Sequence, residues 1–447
     1  STVAAGGGTI TIKYLVGLNN GLGVQSAAPA LGWGAGAWGN EAWGTPRSAS
    51  ESTVSLDNSS WNLSLWGEDL LATVRGGAIY YWDTSANVTN RAVLASSLAG
   101  AESVPNVVRV ATVSFPDRHF IAGGCQSYSS GNVDNMLVRW SSQEEFIKFA
   151  PTAVNTAGDQ RLEIGTKIVA MVPAREETII STDEAVYGMT FVGGDFVFSF
   201  RLLATDSGAA GLNTMISVDG DVYWMGKRNF FKYDGIVNEL PCPVQYYVAD
   251  RLQTSYIEKT TVGHNKEFKE ITWFYVSNDN PAGTVNPEPD SYVTYNYEEN
   301  CWSVGTMDRT VWSDSFGAKV VPFAFDPDGY LYNHETGTSA DGAAMNSYIE
   351  GSPREISQDG ETLYMVDQVI PDVVMTSDTS LSLYMNTRKF PNATEITKGP
   401  FTITSSTEKV STRAKGRQIS MKFQSTGTTD DWTLGDFRVN SRPDGLR

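Results

Sequence analysis

"DVYWMGKRNFFKYDG" occupies residues 221–235, and its reading decides the fold. It is an aromatic strand, a short turn opened by Gly226, and a second aromatic strand. The same unit returns in "AIYYWDTS" (78–85), "MLVRWSSQEEFIKF" (136–149), "YVTYNYEENCWSVG" (292–305) and "FDPDGYLYNHETG" (325–337). The repeat is loose. Units of about 40–45 residues place roughly six of them between residues 60 and 340. Radial repetition of small sheets protects their edges without closing a barrel. The expected fold is all-β: a degenerate β-propeller of about six blades over residues 61–342.

Elsewhere the hydrophobic period is two. Phe196, Phe198, Phe200 and Leu202 share one predicted strand face; Leu381, Leu383 and Met385 share another, and Ile419, Met421 and Phe423 a third. One segment has helical spacing: Val244, Tyr247, Val248 and Leu252 follow Pro241-Cys242-Pro243. Beyond about residue 345 the aromatic hairpins stop, the strands lengthen, and Ser and Thr rise. Residues 343–447 are therefore expected to form a β-sandwich-like platform domain. Residues 1–60 are expected to be a β segment joining that domain, with the propeller inserted between, since inserted domains tolerate closely placed termini.

At 447 residues the chain suits two domains or one large β architecture with an addition. The three cysteines, Cys125, Cys242 and Cys301, are odd in number and widely spaced, which fits folding in a reducing compartment. The sequence shows no apolar run long enough to span a membrane and no signal peptide. Because it opens on Ser1 and not Met, a short preceding piece is expected. A net charge of −18 argues against gripping nucleic acid by its phosphates. The charge is uneven: residues 401–447 carry 8 basic and 5 acidic side chains, leaving −21 on residues 1–400.

"GWGAGAWGNEAWGTPR" (32–47) formally matches G-x-G-x-x-G at Gly34, Gly36 and Gly39. It lacks the preceding strand and following helix that would present a pyrophosphate to a helix N-terminus, so it is not read as a phosphate cradle. Trp33, Trp38 and Trp43 are five apart, a spacing that suits neither one strand face nor one helix face. They are either a local core or a contact to a neighbouring subunit, where Trp is enriched.

The basic cluster Arg413, Lys415, Arg417 and Lys422, with Arg438, Arg442 and Arg447, also has two readings. It is a solvated sheet face with ordinary surface pairing, or a docking face for an acidic partner or the next subunit. His119, His264 and His334 make no i, i+4 pair, and "HNKEFKE" (264–270) lacks the second His of a zincin. "DPDGYLYNHE" (326–335) is too short for an EF-hand loop and reads as a hairpin turn. The acid pairs Glu144-Glu145, Glu176-Glu177 and Glu298-Glu299 would point to opposite faces of a strand. No nucleophile elbow, Walker A or CxxC is present. No catalytic, cofactor or metal residues are expected.

Several segments, in order, resemble the tail nozzle (tail tubular, hub or packaged-DNA stabilisation) proteins of short-tailed bacteriophages. They are "LSLWGEDLLATVRGGAIYYWD" (63–83), "VRWSSQEEFIKFAPTAVNTAGDQRLEIGTKIVA" (138–170), "VGHNKEFKEITWFYVS" (262–277), "YVTYNYEENCWSVGTMDRTVW" (292–312), "DGYLYNHETG" (328–337) and "DWTLGDFRVNSRPDG" (431–445). The Trp-Gly ribbon ending at Thr45-Pro46-Arg47 is similar to the family's N-terminal aromatic-Gly repeat.

The resemblance implies a non-enzymatic virion protein of the tail, assembled in the host cytoplasm. It implies a self-associated ring, a homohexamer in relatives, below the head-to-tail adaptor. Such a ring extends the DNA channel, helps retain packaged DNA and anchors tail spike or fibre proteins. Six copies at −18 each carry −108, so an acidic lumen would let DNA slide through without specific binding. No membrane insertion is implied. The alternative is a glycan-binding or glycan-degrading propeller, which needs two carboxylates converging from different blades; no S-x-D-x-G box recurs. A third reading is a monomeric interaction scaffold.

Overall fold

The computed structural model describes residues 60–446, apart from 86–89, 116, 195, 280–286, 318 and 357–360. Six small antiparallel sheets follow one another over residues 61–94, 110–161, 168–205, 215–240, 261–306 and 311–333. Each is a meander in sequence order; the first five have four strands and the sixth has three. Their first strands are Trp61–Trp66, Val110–Val113, Ile168–Pro173, Met215–Val218, Thr261–Asn265 and Val311–Ser313. These lie side by side in that order, the innermost strand of each blade. The unit is a β-propeller with six blades among the described residues.

Strand alternation explains why these blades are aromatic on both sides. Successive residues point to opposite faces, and each interior blade is sandwiched between two others. In the second blade Ile121 packs with Ile168, Met171 and Tyr187 of the third, while Phe120 and Ala122 pack with Leu71 and Ile79 of the first. In the fourth, Trp224 packs with Val169 and Ile179, while Tyr223 and Met225 meet Ile271 and Trp273 of the fifth. Indole N–H groups tie these rings to neighbouring backbone carbonyls. Trp224 donates to the Ser207 carbonyl at 2.7 Å, Trp273 to that of Thr214 at 2.9 Å, and Trp312 to that of His264 at 2.9 Å. A wholly buried Trp of this kind is worth about 3–5 kcal/mol against Ala.

The hairpin unit that opened the reading is present as strands Asp221–Met225 and Phe230–Tyr233. "MLVRWSSQEEFIKF" corrects the repeat. Only its first half is strand, within Val133–Trp140; the rest is turn, with Phe149 buried against the first and second blades. Phe196 is a second correction, because it precedes the strand Phe198–Thr205 and stands exposed, whereas Phe198 and Phe200 face the core shared with Trp140. The expected helix is Gln245–Arg251, with Val248 and Leu252 buried in the core of the fourth and fifth blades.

The chain divides into two compact units between His334 and Glu335. In the second, one sheet runs in the order Ser347–Glu350, Gln418–Ser425, Leu381–Arg388, Ile396–Ile403, and Arg354–Glu355 also pairs with Gln418–Ser425. Another runs Val410–Gly416, Thr362–Ile370, Arg438–Leu446. Leu381, Leu383, Met385, Ile419 and Phe423 from the first sheet meet Val366, Val369 and Ala414 from the second. That is a β-sandwich-like core built from the period-two faces.

Candidate protein–protein interface

Trp33, Trp38 and Trp43 lie outside the described residues, as does the whole expected 1–60 segment except Ser60. The basic set lies within them except for Arg447, and most of it is gathered on one surface. In Val410–Gly416 the residues Ser411, Arg413 and Lys415 face solvent while Val410, Thr412 and Ala414 are buried. Lys415 and Arg442 sit opposite Met365 on the middle strand, and Arg438 sits opposite Ile370. One face of a three-stranded sheet therefore carries Arg413, Lys415, Arg438 and Arg442. A register shift between Val366 and Gln368 places Asp367 beside it.

Local carboxylates temper this face. Lys415 pairs with Asp444 at 2.8 Å, and Arg442 reaches Asp367 at 3.8 Å. Arg417 lies off the face, at the turn into Gln418–Ser425, and grips Glu355 through two nitrogens at 2.9 and 2.5 Å. Among the described residues Arg413 and Arg438 make no ion pair, and both are exposed. Lys422 lies over the Tyr348 ring at 4.4 Å, so these two arginines are the part of the described basic set left for a partner. Arg438 begins the edge strand Arg438–Leu446, where Arg442 and Pro443 discourage strand addition, so a partner would be met through side chains.

The propeller contains a constellation that the sequence reading missed. Glu258 accepts Arg75 at 2.9 Å on one oxygen and Lys167 at 2.8 Å on the other. Arg75 adjoins the start of the first blade's inner strand, its N–H bonded to the Ser60 carbonyl at 2.9 Å. Lys167 immediately precedes the third blade's inner strand, and Glu258 lies just ahead of the fifth's. Three alternate blades are thus pinned to one carboxylate across the centre of the propeller. A side chain at Gly211 would press its Cβ to 3.1 Å from the Glu258 Cα, so the connection into the fourth blade packs directly onto this clamp. Its members are scattered over three blades, and no local pattern announces them.

His119 is buried, and His264 and His334 are half-buried. His119 Nδ1 meets Asp117 at 2.6 Å, Ser114 donates to the same carboxylate oxygen at 2.7 Å, and His119 Nε2 faces the Thr156 hydroxyl at 3.1 Å. Burial pushes the Asp117 carboxyl up, but the hydrogen bonds from His119 and Ser114 outweigh it and hold it below the usual range. The acid–imidazole–hydroxyl order resembles a hydrolytic relay, yet the imidazole is wholly buried beside Phe191 and Phe198, where no substrate reaches it. His264 lies in the strand Thr261–Asn265, 3.5 Å from Asp314. Burial depresses its pKa, with Asp314 opposing.

His334 packs on Trp312, ring centroids 4.6 Å apart, and its Nε2 accepts Arg309 at 3.0 Å. Burial and the neighbouring guanidinium hold it neutral, its pKa pushed down to about 4. An unfolded chain titrates this group near 6.5, so between roughly pH 6.5 and 4 the unfolded state binds the extra proton. The propeller is expected to lose on the order of 1–2 kcal/mol across that window, after discounting for partial exposure. Melting curves at pH 7 and pH 5 check this, because H334N should lose less stability than the parent chain on acidification.

The acid pairs go to separate partners. Glu144 bridges Arg118 at 3.0 Å and Glu145 bridges Lys148 at 3.1 Å, while Glu177 accepts the Tyr233 hydroxyl. A shallow polar cleft of ≈ 510 Å³ in the second and third blades is lined by one carboxylate, Asp134, which Arg161 holds at 2.8 Å. The "DPDGYLYNHE" stretch is a hairpin turn, with Asp326 accepting the Tyr330 N–H at 2.8 Å. Among the described residues no group of three or more His, Cys, Asp and Glu is placed to hold a metal ion.

No family model matches the sequence, and no curated protein is similar to it. Among solved structures the chain is similar to a mutant apocarotenoid oxygenase from Synechocystis, with TM-score 0.32 and 9% identity over 61% of this chain and 67% of that one. It is similar to BamB from Moraxella catarrhalis, with TM-score 0.31 and 11% identity over 64% and 86%. It is also similar to a family 43 arabinoxylan arabinofuranohydrolase from Bacillus subtilis, with TM-score 0.26 and 10% identity over 86% and 79%. Likenesses at this level carry nothing about chemistry; the propeller is read from the chain's own sheets.

Proposed function

We propose that this chain is a structural subunit of the tail of a short-tailed bacteriophage, self-associating head to tail into a ring of about six copies around the DNA channel. One observation carries the reading: among the described residues Arg413 and Arg438 have no ion partner on a basic sheet face, in a chain whose residues 1–400 carry −21. A surface that complements a different surface of the same molecule makes heterologous contacts, and these close into a ring when the rotation between copies is a whole fraction of a turn. The ordered resemblance to tail nozzle proteins supplies the context: a ring below the head-to-tail adaptor, carrying spikes or fibres, assembled in the host cytoplasm and resident in the virion.

In this reading DNA passes an acidic lumen without specific binding, repelled by the net charge of the ring. The test is particle mass by light scattering, for the chain alone and with the adaptor protein of the same tail. Six copies of the 48.6 kDa chain give a particle of about 290 kDa. A chain that stays monomeric in both conditions overturns the proposal.

A further inference from the structure

Asp134 stands at the wall of the polar cleft in the second and third blades, held in one orientation from both sides. Its Oδ1 accepts the Met136 N–H at 2.9 Å, and its Oδ2 accepts Arg161 Nε at 2.8 Å. Arg161 is itself steadied by donating from Nη1 to the Leu162 carbonyl at 3.2 Å. A bulge shapes this wall. Gly123 pairs with Val138 and Cys125 with Asp134, so Asn135, Met136 and Leu137 stand opposite Gly124 alone. Gly124, at φ +60°, takes the left-handed turn this needs. Bulges re-aim side chains and recur beside binding sites. The lining also leaves hydrogen-bonding capacity unused: among the described residues, Arg161 Nη2 and the side-chain amides of Asn132 and Asn135 have no partner. Each Asp134 oxygen keeps a second lone pair.

We propose that this cleft binds one neutral sugar unit of a glycan, a hexose or N-acetylhexosamine ring. Charge selects against other small ligands. Asp134 and Arg161 cancel one another, and Lys167, next in sequence to Thr166 of the lining, is committed to Glu258. An anion would find no uncompensated cation in this lining, and among the described residues no acid cluster is placed for a metal ion. Sugar hydroxyls, by contrast, each donate one hydrogen bond and accept others, as Ser and Thr do. Neighbouring hydroxyls can give to Asp134 and take from Arg161 Nη2, while a free amide does either. Val133, 48% exposed in the lining, offers an apolar surface to the C–H face of the ring. The volume, ≈ 510 Å³, lies within the about 300–1,000 Å³ of small-molecule sites. With one carboxylate in its lining the cleft holds a sugar without hydrolysing it, since glycosidic cleavage uses two. The proposal goes beyond the ring reading and does not rest on it.

Saturation-transfer NMR of the full chain tests it, with the methyl glycosides of glucose, galactose, mannose, N-acetylglucosamine and N-acetylgalactosamine as probes. The expected result is transfer to at least one of these sugars, with binding weakened about tenfold in D134N at an unchanged melting temperature. The Asp134–Arg161 pair is partly exposed and contributes little to folding, and the substituted side chain keeps an oxygen for the Met136 N–H. N132A is the second variant and carries the test if D134N melts early. The Asn132 amide bonds to nothing among the described residues, and its removal should weaken the same sugar about threefold. Absence of transfer to every probe would overturn the proposal. Binding undiminished by D134N, or by N132A should D134N melt early, would overturn it by placing the sugar elsewhere. Displacement of the sugar by inorganic phosphate would overturn it in favour of an anion site.

Discussion

Replacing Glu258 by Gln is expected to destabilise the propeller by about 2–3 kcal/mol and lower its melting temperature by roughly 5–10 °C. The carboxylate serves two cations, and Arg75 keeps only 4% of its side chain exposed. Removing the shared anion takes from that guanidinium, in a desolvated site, the carboxylate it meets at 2.9 Å, which costs more than the pair contributed. Glu258 itself is a quarter exposed, so the effect falls below the full cost of a completely buried pair. The asymmetry is diagnostic. K167M should cost about 1 kcal/mol or less, because Lys167 is nearly a third exposed and its loss leaves Glu258 paired with Arg75. Calorimetry of both variants checks the claim; equal effects, or none for E258Q, would show that the clamp does not hold the alternate blades.

The double substitution R413E/R438E is expected to weaken assembly at least 100-fold while leaving the melting temperature within about 1 °C. Reversing both arginines puts negative charges against a neighbouring copy that is itself net negative, and like-charge juxtapositions cost several kcal/mol. Neither arginine makes an ion pair among the described residues, so folding has little to lose. R417E is the contrasting case. It sets a carboxylate against Glu355, to which Arg417 is bonded through two nitrogens, and should lower stability more than assembly. Sedimentation of the three chains separates the effects. Unchanged assembly of R413E/R438E would remove the basic face from the interface.

The blades were legible because their physics is local. Alternation at Tyr223, Trp224 and Met225 and turns such as Asp326-Pro327-Asp328-Gly329 are set by neighbours in sequence, and they predicted strands and hairpins where the structure has them. The repeat failed where tertiary packing overrides the local pattern: Phe149 looks like a second strand but is a buried anchor in a turn. The grouping of Arg413, Lys415, Arg438 and Arg442 on one face was only half legible. Alternation places each residue on a side, but pairing through Thr362–Ile370 decides that the sides coincide. The Arg75–Lys167–Glu258 clamp was not legible at all, because only the circular arrangement of blades brings those three charges together.

Electron microscopy of the assembled species, formed by the chain alone or on its adaptor, tests the central claim most directly. The account predicts rings of about six subunits around an open central channel, with the basic sheet face of one copy against its neighbour. Particles that remain single propellers in the presence of adaptor, or a closed assembly with no channel for DNA, would contradict it.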